Sequence, residues 1–128
     1  MLNHVSVGVS QLDRATAFYD AVLAPLGYGR LDTFDFGVAY GIDYPSFWAT
    51  LPENGDAATV GNGVHIAFTA PDQAAVDAFH KIAVEAGGQC DGKPGLRPYA
   101  STYYAAFVRD PDGNKIEAVH LNEPYVPG

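Results

Sequence analysis

The 128-residue sequence predicts an α+β fold, in which two tandem βαβββ modules form a cupped mixed sheet with helices on its outside. The first observation is an internal repeat, since "NHVSVGVS" near the start recurs in pattern as "VHIAFTAP" in the middle of the chain. Each half also passes from strand-like to helix-like periodicity and then into short strand segments separated by turns. Four identities align without a gap: His4 with His65, Ala17 with Ala78, Phe18 with Phe79, and Gly27 with Gly88.

The repeat divides a single domain into two modules. Module one covers about residues 1–53, a polar linker about 54–63, module two about 64–122, and a short C-terminal tail 123–128. The linker sequence "ENGDAATVGNG" is rich in turn-forming residues, as expected between two packed units.

The first module begins with alternating valines at positions 5, 7 and 9, which predict a strand with one packed face. A helix is expected next, because apolar residues recur at helical spacing from Leu12 to Leu26. The sequence "SQLD" at 10–13 has the form of a capping box at its start, and Gly27 suits its end. Strands are then expected at about 28–35, 38–42 and 46–51.

The second module repeats this order. Residues 64–68 alternate as a strand, a helical pattern follows through Ala86, and Gly87 and Gly88 stop it. "DPDG" at 110–113 is a turn, because Pro presets one backbone angle and Gly accepts another, and it predicts a hairpin. Strands are expected at about 88–92, 102–109 and 114–121.

Both modules carry a histidine on the strand face that the apolar residues do not use. Side chains alternate along a strand, so His4 opposes the valines and His65 opposes Ile66 and Phe68. One such histidine is ordinarily a partly buried residue with a hydrogen bond. Two at equivalent positions, on the concave face near a pseudo-two-fold axis, predict that the imidazoles converge.

Glu117 offers an anionic partner on the last strand. It lies between Ile116 and Ala118, and a carboxylate there is costly unless it is paired, hydrogen-bonded or coordinated. A salt bridge to Arg or Lys, or an exposed edge position, is the alternative. Because imidazole and carboxylate are common metal ligands, the three residues predict a metal site of His4, His65 and Glu117.

Three motifs carry a resemblance to a known family: "HVSVGVSQLDRATAFYDAVLAPLGY", "GVHIAFTAPDQAAVDAFH" and "AAFVRDPDGNKIEAV". Together they resemble the vicinal oxygen chelate superfamily, which includes glyoxalase I, bleomycin resistance proteins and extradiol dioxygenases. The resemblance implies paired βαβββ modules, with metal ligands on the first and last strands. His4, His65 and Glu117 match three ligand positions, and Trp48 occupies the fourth, where glyoxalase I enzymes have a carboxylate that acts as a base.

The resemblance implies a divalent ion, Zn, Ni, Mn or Fe(II), that binds two neighbouring oxygens of a small-molecule substrate. Glu117 is then the candidate catalytic residue as well as a ligand, and lyase, isomerase and dioxygenase chemistry all remain open. The alternative is a metal-free protein that binds or sequesters a small molecule, as bleomycin resistance proteins do. A third reading, a scaffold for interactions, predicts no pocket.

The irregular segment 92–104 has the composition of a flap over the cup. Its substrate-binding candidates are Arg97, which suits a carboxylate or phosphate, and three tyrosines; a solvated loop arginine is the alternative. With the aromatic wall expected from module one, the set comprises Trp48, Thr50, Arg97, Tyr99, Tyr103 and Tyr104.

Seven Lys+Arg against fifteen Asp+Glu give a formal charge of −8, which argues against nucleic acid and anionic membranes as partners. The single cysteine, Cys90, cannot form an internal disulfide, and no signal peptide or membrane span is evident. These features predict a cytoplasmic protein. Exposed sheet edges and modular symmetry predict a homodimer.

Overall fold

The computed structural model describes residues 1–123. It confirms the α+β class and the two βαβββ modules. The elements are β1 (Val5–Gly8), α1 (Leu12–Leu23), β2 (Gly29–Phe34), β3 (Gly37–Gly41), β4 (Phe47–Thr50), β5 (His65–Thr69), α2 (Gln73–Glu85), β6 (Gln89–Leu96), β7 (Tyr104–Arg109) and β8 (Lys115–His120). Apart from Glu123, the predicted tail 123–128 lies outside the described residues.

The two modules have the same sheet topology. One sheet has the order β1-β4-β3-β2 and the other β5-β8-β7-β6, and in each the first strand lies at an edge, parallel to the last. Ser6 lies opposite Trp48 in one sheet, and Ala67 lies opposite Glu117 in the other. Since Ser6 and Ala67 are equivalent in the repeat, Trp48 and Glu117 hold equivalent positions, as the alignment predicts.

The helix-covered faces of both sheets belong to one hydrophobic core. The ring centres of Phe47 and Phe68, one from each sheet, are 5.0 Å apart, and α1 contacts α2. Among residues 1–123 no backbone pairing joins β1 to β5, so there are two four-stranded sheets instead of one continuous sheet. The opposite sheet faces point away from the shared core; we call them open face one (β1–β4) and open face two (β5–β8).

The start of α1 differs from the prediction. Gln11 is the N-cap and makes no side-chain cap hydrogen bond, so the expected capping box at 10–13 is wrong. The Ser10 hydroxyl instead donates to Asp112 Oδ1 at 2.5 Å, which ties α1 to the turn between β7 and β8. In α2, by contrast, the Asp72 carboxylate accepts from the Ala75 amide at 2.8 Å and caps the helix.

The end of α1 and the "DPDG" turn confirm their predictions. A 3₁₀ turn at Ala24–Leu26 follows α1, and Gly27 closes it with φ +90°, a value that favours glycine. Asp110 is 3% exposed and accepts hydrogen bonds from the Tyr19 hydroxyl and from the side-chain amide of Asn114, which also donates to the Gly8 carbonyl. The turn therefore links both modules.

The flap is shorter than the sequence predicts. The strand β6 continues to Leu96 with register shifts, so only residues 97–103 are irregular between β6 and β7. None of the helices in the described part of the chain is long and apolar enough to cross a membrane.

Candidate functional site

Glu117 is a buried carboxylate with two side-chain partners. It is 1% exposed, and its Oε1 lies 3.0 Å from His65 Nε2. The Tyr103 hydroxyl donates to its Oε2 at 2.5 Å. Because an isolated buried charge is very costly, these two contacts explain how the carboxylate is tolerated on open face two.

Strand register brings these groups together. Glu117 lies opposite Ala67 on β5 and opposite Phe107 on β7. His65 is two residues before Ala67 and therefore lies on the same face. Because the side chain of Ala67 is only a methyl group, the His65 imidazole has space to reach the Glu117 carboxylate. Tyr103 immediately precedes β7, and its hydroxyl lies against the second carboxylate oxygen of Glu117, Oε2.

The Tyr103 hydroxyl acts as a hydrogen-bond donor to Glu117. Burial, reinforced by the hydrogen bond to Glu117, raises the pKa of Tyr103 well above its ordinary value of 10.0. The hydroxyl therefore keeps its proton, and Oε2 of Glu117 stays occupied. The other carboxylate oxygen, Oε1, faces His65.

The pair formed by His65 and Glu117 suits two adjacent ligands of one divalent ion. Ligands at about 2.1 Å from a common ion lie roughly 3 Å or slightly more apart, which matches the 3.0 Å between Nε2 and Oε1. The His65 side chain is 43% exposed, so the pair is accessible from the cavity.

A cavity of about 420 Å³ lies over this pair on open face two. Its polar lining is mainly charged, and the Arg97 guanidinium carbon and the Lys115 Nζ lie 5.4 and 5.1 Å from the centre of the Phe107 ring. The lining residues are His65, Asp91, Gly92, Arg97, Tyr99, Tyr103, Phe107, Lys115 and Glu117.

His4 lies elsewhere. It precedes β1, is exposed, and its Nδ1 lies 2.6 Å from Asn3 Oδ1. His4 and His65 both border a second cavity, of about 400 Å³, at the seam between the modules. Within residues 1–123, however, no three His, Cys, Asp or Glu side chains gather closely enough to hold a metal ion. The structure thus brings two of the three predicted ligands together.

Open face one carries aromatic rings where open face two carries charges. Trp48 stacks on Phe34 and Phe36, with ring centres 6.0 and 6.3 Å apart and interplanar angles of 19° and 12°. Phe34 and Phe36 are 46% and 55% exposed. With the half-buried Trp48 they form an aromatic stack that is exposed at the two phenylalanines.

Comparison with known proteins identifies the family. A family model described as the glyoxalase/bleomycin resistance protein/dioxygenase superfamily matches residues 1–118. The chain belongs to this superfamily. Its resemblance to the vicinal oxygen chelate proteins is thereby confirmed.

Individual relatives agree with this assignment. The metallothiol transferase FosB of Shouchella clausii (strain KSM-K16) is 30% identical over 122 residues, covering 91% of this chain and 77% of that protein. A glyoxalase/bleomycin resistance protein from Albidiferax ferrireducens T118 is 40% identical, with a TM-score of 0.86 over 93% of this chain and 97% of the other. A lactoylglutathione lyase from Agrobacterium tumefaciens, at 21% identity and TM-score 0.66 over 94% and 92%, shares the fold.

The other predicted substrate-binding residues fall into two groups in this superfamily member. Arg97, Tyr99 and Tyr103 line the cavity over Glu117. Tyr104 does not, because alternation turns it to the helix-covered face, where its hydroxyl donates to Asp77 on α2 at 2.6 Å. The prediction that Tyr104 belongs to the substrate-binding set is therefore not supported by its position.

Trp48 and Thr50 also lie apart from that cavity, since both are on β4 of open face one. Thr50 packs close to Gly37 and borders a separate cleft with Phe36. Within one chain, the aromatic wall and the charged cavity are thus two different surfaces.

Sequence reasoning missed Phe107 and Lys115. Lys115 is two residues before Glu117 and therefore shares its face, and the hairpin register places Phe107 opposite Glu117. Both positions could have been predicted from the sequence, because the "DPDG" turn fixes the pairing of β7 with β8.

Proposed function

We propose that this protein is a small-molecule enzyme of the vicinal oxygen chelate type, in which His65 and Glu117 hold a divalent metal ion with His4 as third ligand. The observation that carries the proposal is the buried Glu117 carboxylate, which is held by Tyr103 and faces an accessible imidazole at a cavity. Membership of the superfamily supports it. The metallothiol transferase name of one relative supports group-transfer chemistry as a further option beside lyase, isomerase and dioxygenase reactions.

The chain's own groups have separable roles in this proposal. Tyr103 fixes the Glu117 carboxylate, and His65 and Glu117 would hold the ion. The ion, which can be Zn, Ni, Mn or Fe(II), would supply binding of two neighbouring substrate oxygens and stabilisation of developing negative charge.

His4 requires a rearrangement or a partner to join this set. It lies outside any strand, so movement of residues 1–4 can bring it nearer to His65 along the seam cavity that both border. A second copy of the chain is the other source, and this agrees with the homodimer we expect. Light scattering tests that expectation, and a monomer at high protein concentration would exclude it.

Metal content tests the enzyme proposal. Protein purified without chelator should contain a near-stoichiometric divalent ion by elemental analysis, and added metal should raise its melting temperature. His65→Gln and Glu117→Gln should abolish both effects, and His4→Ala should weaken them. His120→Gln is the matched control, because its ring lies near the Ala70 carbonyl, away from Glu117. Absence of metal binding would reject the proposal.

A metal-free binding function is the second candidate, and the aromatic stack favours it. The exposed rings of Phe34 and Phe36 lie nearly parallel to the half-buried ring of Trp48, and Asp35 and Glu53 border the adjoining cleft. A planar cationic ligand suits this combination. Because Trp48 is the single tryptophan, quenching of its fluorescence by a planar cationic dye, unchanged by chelator and reduced in Phe36→Leu, would support this function.

A further inference from the structure

The positive charges of this acidic chain are unevenly placed. Four of its seven Lys and Arg residues lie in the sequence from β6 to β8. They are Lys93, Arg97, Arg109 and Lys115. Two of them, Arg97 and Lys115, line the cavity over Glu117. A chain with a formal charge of −8 thus concentrates cations at its candidate site.

Arg97 is held in place without a carboxylate partner. Its guanidinium donates to the carbonyls of Gly95 and Lys93, at 3.0 and 2.7 Å, and packs over Phe107. No Asp or Glu oxygen of the described residues lies within 4.0 Å of it. The charge is therefore preorganised and uncompensated, and its remaining N–H groups can serve a ligand.

Lys115 is only partly neutralised. Its Nζ lies 3.5 Å from Asp91 Oδ2, but the same oxygen accepts a hydrogen bond from Arg109 Nε at 3.0 Å. One carboxylate thus serves two cations. The other carboxylate of the cavity, Glu117, is already engaged by Tyr103 and His65.

We propose that Arg97 and Lys115 form an anion subsite beside the Glu117 centre, so that the substrate of this protein carries a carboxylate or phosphoryl group. This inference rests on the proposed function for the chemistry at Glu117, but the anion subsite itself needs no metal ion. The Phe107 ring, which both cations flank, forms the apolar floor against which the carbon skeleton of the substrate packs. The anionic group fixes the orientation of the substrate relative to His65 and Glu117.

The test measures anion binding by the full chain after removal of metal with chelator. Inorganic phosphate and acetate are titrated separately, and binding is followed by isothermal calorimetry and by amide NMR shifts of β6 and β7. We expect saturable binding of at least one anion with shifts centred on Gly92 and Phe107. The anion that binds more tightly identifies a phosphoryl or a carboxylate substrate.

Variants locate the binding. Arg97→Gln and Lys115→Gln should each weaken the affinity by about tenfold or more, as expected for a charge-assisted contact. Lys81→Gln on α2 removes the same charge at an exposed distant position and should bind as the unaltered protein does. Arg97→Lys keeps the charge and should recover part of the affinity, and melting curves verify that each variant folds.

Three results would overturn the inference: no anion binding at millimolar concentrations, equal affinity in Arg97→Gln, or an equal loss in Lys81→Gln, which would indicate a general charge effect. Glu117→Gln separates this inference from the proposed function. It should lose metal binding and keep anion binding, so failure of one leaves the other measurable.

Discussion

Replacing Tyr103 by Phe removes one hydroxyl and tests whether Tyr103 holds the Glu117 carboxylate. The aromatic ring is retained, so its edge-to-face contact with Tyr99, at 5.0 Å between ring centres, persists and no large cavity forms. The lost interaction is the 2.5 Å hydrogen bond from the tyrosine hydroxyl to Glu117 Oε2. Any effect of the substitution therefore reports on that bond.

The expected cost follows from burial. Glu117 is 1% exposed, so water cannot readily replace the donor, and leaving its buried Oε2 without a hydrogen-bond partner costs about 1–3 kcal/mol of unfolding free energy. The carboxylate also loses its fixed orientation toward His65. Loss of such an outer partner of a metal ligand lowers metal affinity by about 10- to 100-fold.

Tyr104→Phe is the matched control. Its hydroxyl makes an equally short bond, 2.6 Å to Asp77 Oδ1, but that bond is exposed and water can replace it, so the cost should stay below about 1 kcal/mol. Urea unfolding in chelator gives the stability term, and calorimetric titration with Mn²⁺ or Zn²⁺ gives the affinity term. Equal effects of the two substitutions on both measurements would refute the assigned role of Tyr103.

Three further predictions concern stability. Asp110→Ala leaves the buried Tyr19 hydroxyl and the buried Asn114 backbone N–H without their acceptor and cuts the link between the modules; at about 1–3 kcal/mol for each unpaired donor, we expect a loss of about 2–6 kcal/mol in urea unfolding. Asp72→Ala removes the α2 cap and should cost about 1 kcal/mol, measured in the same way. Burial, then repulsion from Lys93, lowers the pKa of His80 below its ordinary 6.5. The free energy of unfolding should therefore be highest above about pH 7 and should fall below pH 6.5, where the unfolded chain binds a proton more readily than the folded chain does. His80→Gln should reduce this pH dependence.

The fold was predictable because its signals are local. Alternation of valines defines β1, helical spacing defines α1, and "DPDG" fixes the hairpin of β7 and β8. The helix start at residue 12 shows the limit of this reasoning. The Ser10 hydroxyl that suits a local capping box is engaged by Asp112, a residue about a hundred positions away, and no local pattern reveals that competition.

The candidate site was predictable where it depends on one sheet. His65 and Glu117 meet because parallel pairing of β5 with β8 and side-chain alternation bring them to one face. The donor to Glu117 was predictable only as one of three tyrosines, because residues 97–103 are irregular and have no periodicity to assign a direction. Tyr104, one position later and inside β7, obeys alternation and faces α2.

The position of His4 depends on a different level of structure. The repeat establishes that His4 and His65 are equivalent within their own modules, and the matching registers of Trp48 and Glu117 agree with it. The equivalence of the two histidines does not determine the distance between them, because that distance depends on how the two modules pack. Here the helix-covered faces share one core through Phe47 and Phe68, so the two open faces point away from it and each module presents its own surface. A single chain therefore has a charged face with two of the three predicted ligands and an aromatic face with none of them, and the three-ligand site that we propose needs His4 to move or a second chain to contribute it.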